Sequence, residues 1–470
     1  VARSVALALV LSAALTGLSG HPAGSGVGTS AGAHAPAFAG AEGFGRNATG
    51  WRGGAVVKVT NLNDRGPGSL RACVEDSRPR VCVFEVAGTI AVDSTIEVGS
   101  NVYLAGQTAP GEGVQLRLGR SPDRPLMVRA SHDVVIRHLR VRPGPSRESS
   151  SNVDAIGIFD SHDVILDHLS LQWATDELLD IAALRGSVLD ITVQDSVLAW
   201  GLDFANHPKG KHSKGALICT MDGRGECGRI SLVRNLFAHN RDRNPDVNGT
   251  SIGPVEIVNN VFYNPRSEFG EFYDHEGDLR VNYIGNTALS GPSTRRSEPP
   301  YAVDIRNHYN PAFDATVYVR ANIDGNHRPR PSGPEELVVR PESRRYLVPE
   351  PFAPLTVRAL APETALERVL ARAGATAPAR DSLDRRVIDD VVNRTGHVID
   401  DPAEVGGWPA LRSGPALADA DGDGMPDQWE HAHGSDPGAF DAWQDVDRNG
   451  WADLEDYLNQ RADGAVLPPS

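Results

Sequence analysis

Asp133-Val-Val-Ile-Arg-His-Leu-Arg-Val141 and Asp163-Val-Ile-Leu-Asp-His-Leu-Ser-Leu171 carry one pattern twice: a turn residue, aliphatic side chains at alternating positions, then a second apolar pair. Further copies begin at Asp190 (D-I-T-V-Q-D-S-V-L), Arg229 (R-I-S-L-V-R-N-L-F), Pro254 (P-V-E-I-V-N-N-V-F) and Asp278 (D-L-R-V-N-Y-I-G-N). The second position reads Val134, Val164, Ile191, Ile230, Val255 and Leu279; the fourth reads Ile136, Leu166, Val193, Leu232, Ile257 and Val281. Period-two alternation sets both columns on one face of a strand. Recurrence at steps of 30, 27, 39, 25 and 24 residues stacks equivalent strands in register. No helix of regular length separates the copies, so the pattern predicts an all-β right-handed parallel β-helix rather than a leucine-rich or ankyrin array. The seventh position is asparagine in two neighbouring copies, Asn235 and Asn260, which places their amides to bond along a turn column.

Around this repeat, Gly68–Asp76 reads as a short capping helix with Ser69 near its start, closing an otherwise open strand edge. After Pro349 the composition changes. Pro362–Gly374 is an amphipathic helix with Leu366, Val369 and Leu370 on one face, and a second helical pattern runs from Asp381 to Gly396. Both are expected to pack back on the β-helix. The expected organisation is a signal and small-residue linker over 1–35, the β-helix over 36–345, a helical and loop segment over 346–410, and an acidic, EF-hand-like calcium-binding tail over 411–470.

Forty-eight glycines and thirty-three prolines in a 470-residue chain suit many turns and short strands. A net charge of -15 excludes a general nucleic-acid binder and offers no long-range pull on a polyanion, so an acidic substrate requires local cations or a bound metal. The apolar run 5–18 follows Arg3 and resembles a secretory signal, too short for a comfortable membrane span. A monomeric extracellular protein without membrane contact in its mature form is expected. Cys73 with Cys82 and Cys219 with Cys227 are close pairs, read as two local disulfides in an exported chain or as buried thiols otherwise.

Three groups carry chemistry. Asp419, Asp421, Asp423, Gly424, Asp427 and Glu430 hold positions 1, 3, 5, 6, 9 and 12 of an EF-hand loop, and Asp445, Asp447, Asn449, Gly450, Asp453 and Asp456 form a weaker copy with a shorter final carboxylate. Asp154 lies just before one coil, and Asp176, Glu177 and Asp180 just after it; four carboxylates gathered there require a cation, or else they do not meet. Of four lysines in the chain, Lys209, Lys211 and Lys214 fall within one insertion, His207-Pro-Lys-Gly-Lys-His-Ser-Lys214, and Arg241-Asp-Arg243 follows about thirty residues on. These cations suit an anionic ligand, or form a basic surface loop.

At these residues the chain resembles the pectate lyases of polysaccharide lyase family 1, in particular a secreted bacterial branch with an EF-hand-like tail. The likeness rests on Gly40-Ala-Glu-Gly-Phe-Gly45, Asn61-Leu-Asn-Asp-Arg-Gly-Pro-Gly-Ser-Leu-Arg71, Ala105-Gly-Gln-Thr-Ala-Pro-Gly111 and Val164-Ile-Leu-Asp-His168. It implies calcium-dependent β-elimination of α-1,4-polygalacturonate, with Ca2+ on Asp154, Asp176 and Asp180 and with Glu177 as an extra ligand. It further implies Arg243 as proton-abstracting base, Lys209 as catalytic partner, and His207, His212, Lys211, Lys214 and Arg241 as substrate-binding residues. The chain departs from the family pattern at Asn152, Asp246 and Asn248, where an acid and two basic residues are usual. An arginine base requires a depressed pKa, the direction expected from nearby calcium and Lys209. Rival readings are a lyase for another uronate polymer, a β-helix glycoside hydrolase, which needs paired carboxylates, and a non-catalytic calcium-stabilised adhesin.

Overall fold

The computed structural model describes residues 35–120, 123–222 and 225–464, so the signal-like run 5–18 lies outside the described residues. Short strands stack into three parallel sheets of ten, eight and nine strands, each coil contributing a strand to each sheet through most of the stack. This is the right-handed parallel β-helix expected from the repeat. In the ten-strand sheet Val134, Val164, Ile191, Ile230 and Val255 pair in one column, and Ile136, Leu166, Val193, Leu232 and Ile257 in another. Both columns are wholly buried in one continuous core. The polar first position is where the backbone turns: Asp133, Asp163, Asp190 and Arg229 have φ of 55°, 51°, 55° and 53°.

The sixth copy sits two residues from its expected place. Val255 pairs with Val281 and Ile257 with Tyr283, not with Leu279 and Val281. A slip of two keeps every side chain on its own face, so alternation alone does not reveal it. The corrected register brings Asn286 into the asparagine column. There the Nδ2 of Asn235 donates to Asn260 Oδ1 at 3.0 Å, Asn260 to Asn286 at 3.1 Å and Asn286 to Asn322 at 3.1 Å. Each Oδ1 also accepts a backbone N–H, as Asn260 does from Asn235 at 2.9 Å. Asn260→Ala should therefore lower stability by about 1–3 kcal/mol by orphaning buried donors, read as a lower denaturant midpoint with an unchanged slope.

Helix α1, Leu70–Val74, is capped by Ser69, whose hydroxyl accepts the Ala72 N–H. Cys73 on it is bonded to Cys82 in the strand Arg80–Phe84, fastening the cap to the first coils; Cys219 and Cys227 form the second disulfide. Helices α2, Pro362–Arg372, and α3, Ser382–Asn393, press Val369, Leu383, Val387 and Val391 against Val197, Trp200, Leu236 and Val261 of the coils. The tail helices α4, Asp427–His433, and α5, Asp453–Ala462, share a core with the N-terminal segment on the outer face of the ten-strand sheet. Met425, Trp429 and Leu454 meet Phe38, Trp51, Val81, Val83 and Tyr103 there. The N-terminal segment lies so close to the strands that a Cβ on Gly45 would stand 2.2 Å from the Val164 carbonyl oxygen. Among the described residues no helix is long and apolar enough to cross a membrane.

Candidate active site

The eight-strand sheet carries the chemistry. Leu179 and Ile181 enter the core, so Asp180 between them stands on the outer face. Register then sets Gly157, Asp180, Leu217, Asp246 and Glu271 in one column across successive coils. Glu177 opens its strand, Glu177–Ala183, opposite Lys214, which in turn bridges to Asp242. Stacking of coils, rather than nearness in sequence, assembles the group.

Asp154, Asp176 and Glu177 have carboxylate oxygens within 4.8 Å of one another. Burial raises all four acids, Glu177 to about 7 and its neighbour Asp180 to about 8; repulsion adds to it at Asp154, Glu177 and Asp180, whereas Glu177 and the nearby cations oppose it at Asp176. Asp180 Oδ1 is buried without a hydrogen-bond partner. An orphaned oxygen among crowded carboxylates fits a hard divalent cation with oxygen ligands. Asn152, where a family acid was expected, is exposed.

Two guanidinium groups face the acids. Arg124 Nη2 lies 2.7 Å from Asp154 Oδ2, and Arg243 pairs with Glu177 while its Nε stands 3.6 Å from Asp246 Oδ2. Burial opposes the charged form of Arg243, but Glu177 and Asp246 overcome it and raise the pKa. The nearest charged neighbours of Arg243 within the protein itself are carboxylates. Arg124 escaped sequence reading, although it precedes Asp154 by 30 residues, the same step that separates the first two repeat copies. Asp246 itself is pushed well upward by burial and by Glu271.

The basic insertion divides by role. Lys209 and Lys211 are exposed, with Lys209 close enough to Asp176 to favour its ionised form. Lys214 Nζ holds Asp242 Oδ1 at 2.6 Å. His207 and His212 are buried and stack face to face at 3.8 Å, and His212 Nε2 lies 2.7 Å from Asp176 Oδ1. The Lys209 N–H donates to His207 Nδ1, so the neutral ring keeps its proton on Nε2, directed at Asp176. His212 thus orients Asp176, while His207 Nε2, 3.8 Å from Asp176 Oδ2, is buried without a hydrogen-bond partner. Arg241 turns away to Asp203, with Nη2 2.6 Å from Oδ2.

In the tail, Asp419, Asp421 and Asp423 gather, and Asp423 also joins Glu430 with Asp441. The arrangement is not an EF-hand. Such a loop lies between two helices, whereas here only α4 leaves it and none enters. Asp427 accepts the Ala420 N–H instead of facing the acids. In the second loop the Asn449 amide donates to Asp447 and Asp456, while Asp453 accepts from Ser435 and Val446. Asp445, Asp447 and Asp456 join no gathered acidic group among the described residues.

Comparison with known proteins places this geometry. No family model matches the chain. A probable pectate lyase C of Aspergillus flavus is 37% identical over 432 residues, spanning 90% of this chain and 93% of that protein. Its counterpart in Aspergillus oryzae is likewise 37% identical over 432 residues, with the same coverage. The crystal structure of the major allergen from cedar pollen shares the fold with a TM-score of 0.50 at 16% identity, covering 71% of this chain and 92% of its own. These full-length relatives are fungal, which corrects the expected assignment to a bacterial branch marked by an EF-hand-like tail. The chain belongs to the pectate lyase family and is a polysaccharide lyase.

Proposed function

We propose that this enzyme cleaves α-1,4-linked polygalacturonate by β-elimination, that it requires Ca2+, and that it acts outside the cell. The observation carrying the reading is the meeting of Asp154, Asp176, Glu177 and Asp180 with Lys209, Lys214 and Arg243 on one sheet face. When bound among these carboxylates, Ca2+ would act as a Lewis acid on the substrate carboxylate, stabilising charge at C5. Asp154, Asp176 and Asp180 are its ligands in this reading, with Glu177 added. His212 holds Asp176 in orientation, with the His207 ring stacked on it. Lys209, exposed beside Asp176, binds the uronate carboxylate. Arg243, released from Glu177, loses one proton to solvent and as the neutral guanidine takes the C5 proton. Lys211 and Lys214 contribute local positive charge for the chain of uronates, which the overall charge of -15 does not provide. Two disulfides support secretion.

The test is absorbance of an unsaturated uronate formed from polygalacturonate. It should vanish with chelator and return with calcium, and Asp180→Ala should raise the calcium requirement sharply. Hydrolysis without new absorbance would favour a glycoside hydrolase. Full lyase activity in excess chelator, with no tightly held metal by elemental analysis, would refute the calcium assignment.

A further inference from the structure

The tail acids are shaped for something that its backbone does not supply. Asp419 accepts the Gly422 and Gly424 N–H groups, Asp421 Oδ1 accepts that of Asp423, and Asp423 Oδ1 that of Met425. In Asp421 and Asp423 one oxygen thus folds the loop, and the other, Oδ2, is buried without a partner. Glu430 is fully buried, and neither of its carboxylate oxygens has a hydrogen-bond partner. Asp441, eleven residues beyond Glu430 and outside both acidic repeats, is also buried. Its Oδ2 accepts the Asp436 N–H at 3.1 Å while its Oδ1 is unpartnered. Ligand oxygens of Asp423, Glu430 and Asp441 lie within 4.8 Å of one another.

We propose that these residues form a composite Ca2+ site in which Asp441 supplies the ligand that Asp427 would supply in an EF-hand, and that the ion clasps the tail onto the first coils. Buried carboxylates left unpaired are costly, and five side by side repel. Lys58 meets only one edge of the group, with Nζ 2.9 Å from Asp419 Oδ2. The donor set is all oxygen and mostly charged, which suits calcium with its six to eight ligands. Magnesium retains several waters and fits a dry cage poorly, and zinc prefers nitrogen and sulfur.

Three of the five ligands stand beside an anchor to the β-helix. Lys58, which holds Asp419, lies in the strand Ala55–Val59. Trp429, preceding Glu430, is buried in the core shared with Val81 and Val83. Trp443, two residues after Asp441, donates its indole N–H to the Gly54 carbonyl at 3.0 Å. One ion therefore ties together three points at which the tail touches the first coils. The site lies over the ten-strand sheet, while the eight-strand sheet carries the elimination chemistry, so the clasp serves stability rather than turnover.

The experiment uses the full chain, stripped of metal and titrated with calcium, read by thermal unfolding and by terbium emission sensitised through Trp429. Asp441→Asn should weaken tail binding about tenfold or more and abolish most of the calcium-dependent rise in Tm, with turnover at saturating calcium retained. Asp427→Asn and Asp445→Asn should stay within about twofold of wild type. Glu430→Gln guards against simple misfolding: its amide places a donor among the acids, so the protein should fold without metal and lose the calcium-dependent shift. Wild-type affinity in Asp441→Asn, or an equal loss in Asp427→Asn, overturns the composite site. Loss of elimination with tail binding intact would count against the proposed function instead, so the two readings fail separately.

Discussion

Arg243→Lys should lower turnover on polygalacturonate by about two or more orders of magnitude, a typical general-base contribution, while changing substrate binding much less. The substitution keeps a positive charge but replaces a planar guanidinium with a point ammonium that cannot hold the same geometry between Glu177 and Asp246. Arg241→Ala is the control, because that side chain is engaged with Asp203. Initial rates by absorbance, with separate kcat and KM, decide the matter. A dead Arg241→Ala beside a near-normal Arg243→Lys would transfer the base assignment away from Arg243. Lys209→Ala should also slow turnover, by removing charge at the substrate carboxylate.

The second large effect is structural. Arg142, fully buried, bonds Asp381 at 2.5 and 3.2 Å, Asp384 at 3.2 Å and Gln172 at 2.6 Å. Burial works upward on Asp381, but Arg142 and Arg140 hold its carboxyl well below the usual range. Asp381 is also the N-cap of α3, so one guanidinium fastens the start of that helix to the coils. Arg142→Met strips the buried Asp384 of its paired guanidinium and leaves Asp381 to Arg140 alone, and should cost about 3–5 kcal/mol, read by urea denaturation. A cost below about 1 kcal/mol would show that the apolar face of α3 alone secures it.

Much of this was legible in the sequence, and what was not follows a pattern. Columns of aliphatic residues at period two disclosed the coils because burial repeats identically in each of them. The register of the sixth copy escaped because parity survives a shift of two. Helix α3 could be read from its apolar stripe, but its fastening could not, since an arginine such as Arg142 is by default a surface residue. Asp154, Asp176, Glu177 and Asp180 could be grouped from their places around one coil, but spacing alone left open whether they meet. The pairing of Arg243 with Glu177 and of Arg124 with Asp154 depends on side-chain reach across coils, which spacing does not encode. The tail acids were visible as a motif, yet Asp441, the residue that changes their meaning, lies outside it.

The N-terminal strap has a consequence for the order in which the chain becomes structured during synthesis. The Phe44 N–H donates to Ser231 Oγ, and Gly45 N–H to Thr192 Oγ1, across 187 and 147 residues. This segment, made before the coils it rests on, thus has no seat until they have stacked, and it must wait uncommitted while they form. The tail follows the coils in the chain and buries Trp429 against the same outer face. Both segments close over the outer face of strands laid down between them, so that face is covered only after the coils have stacked, and contacts of such long sequence separation set the pace of the final step.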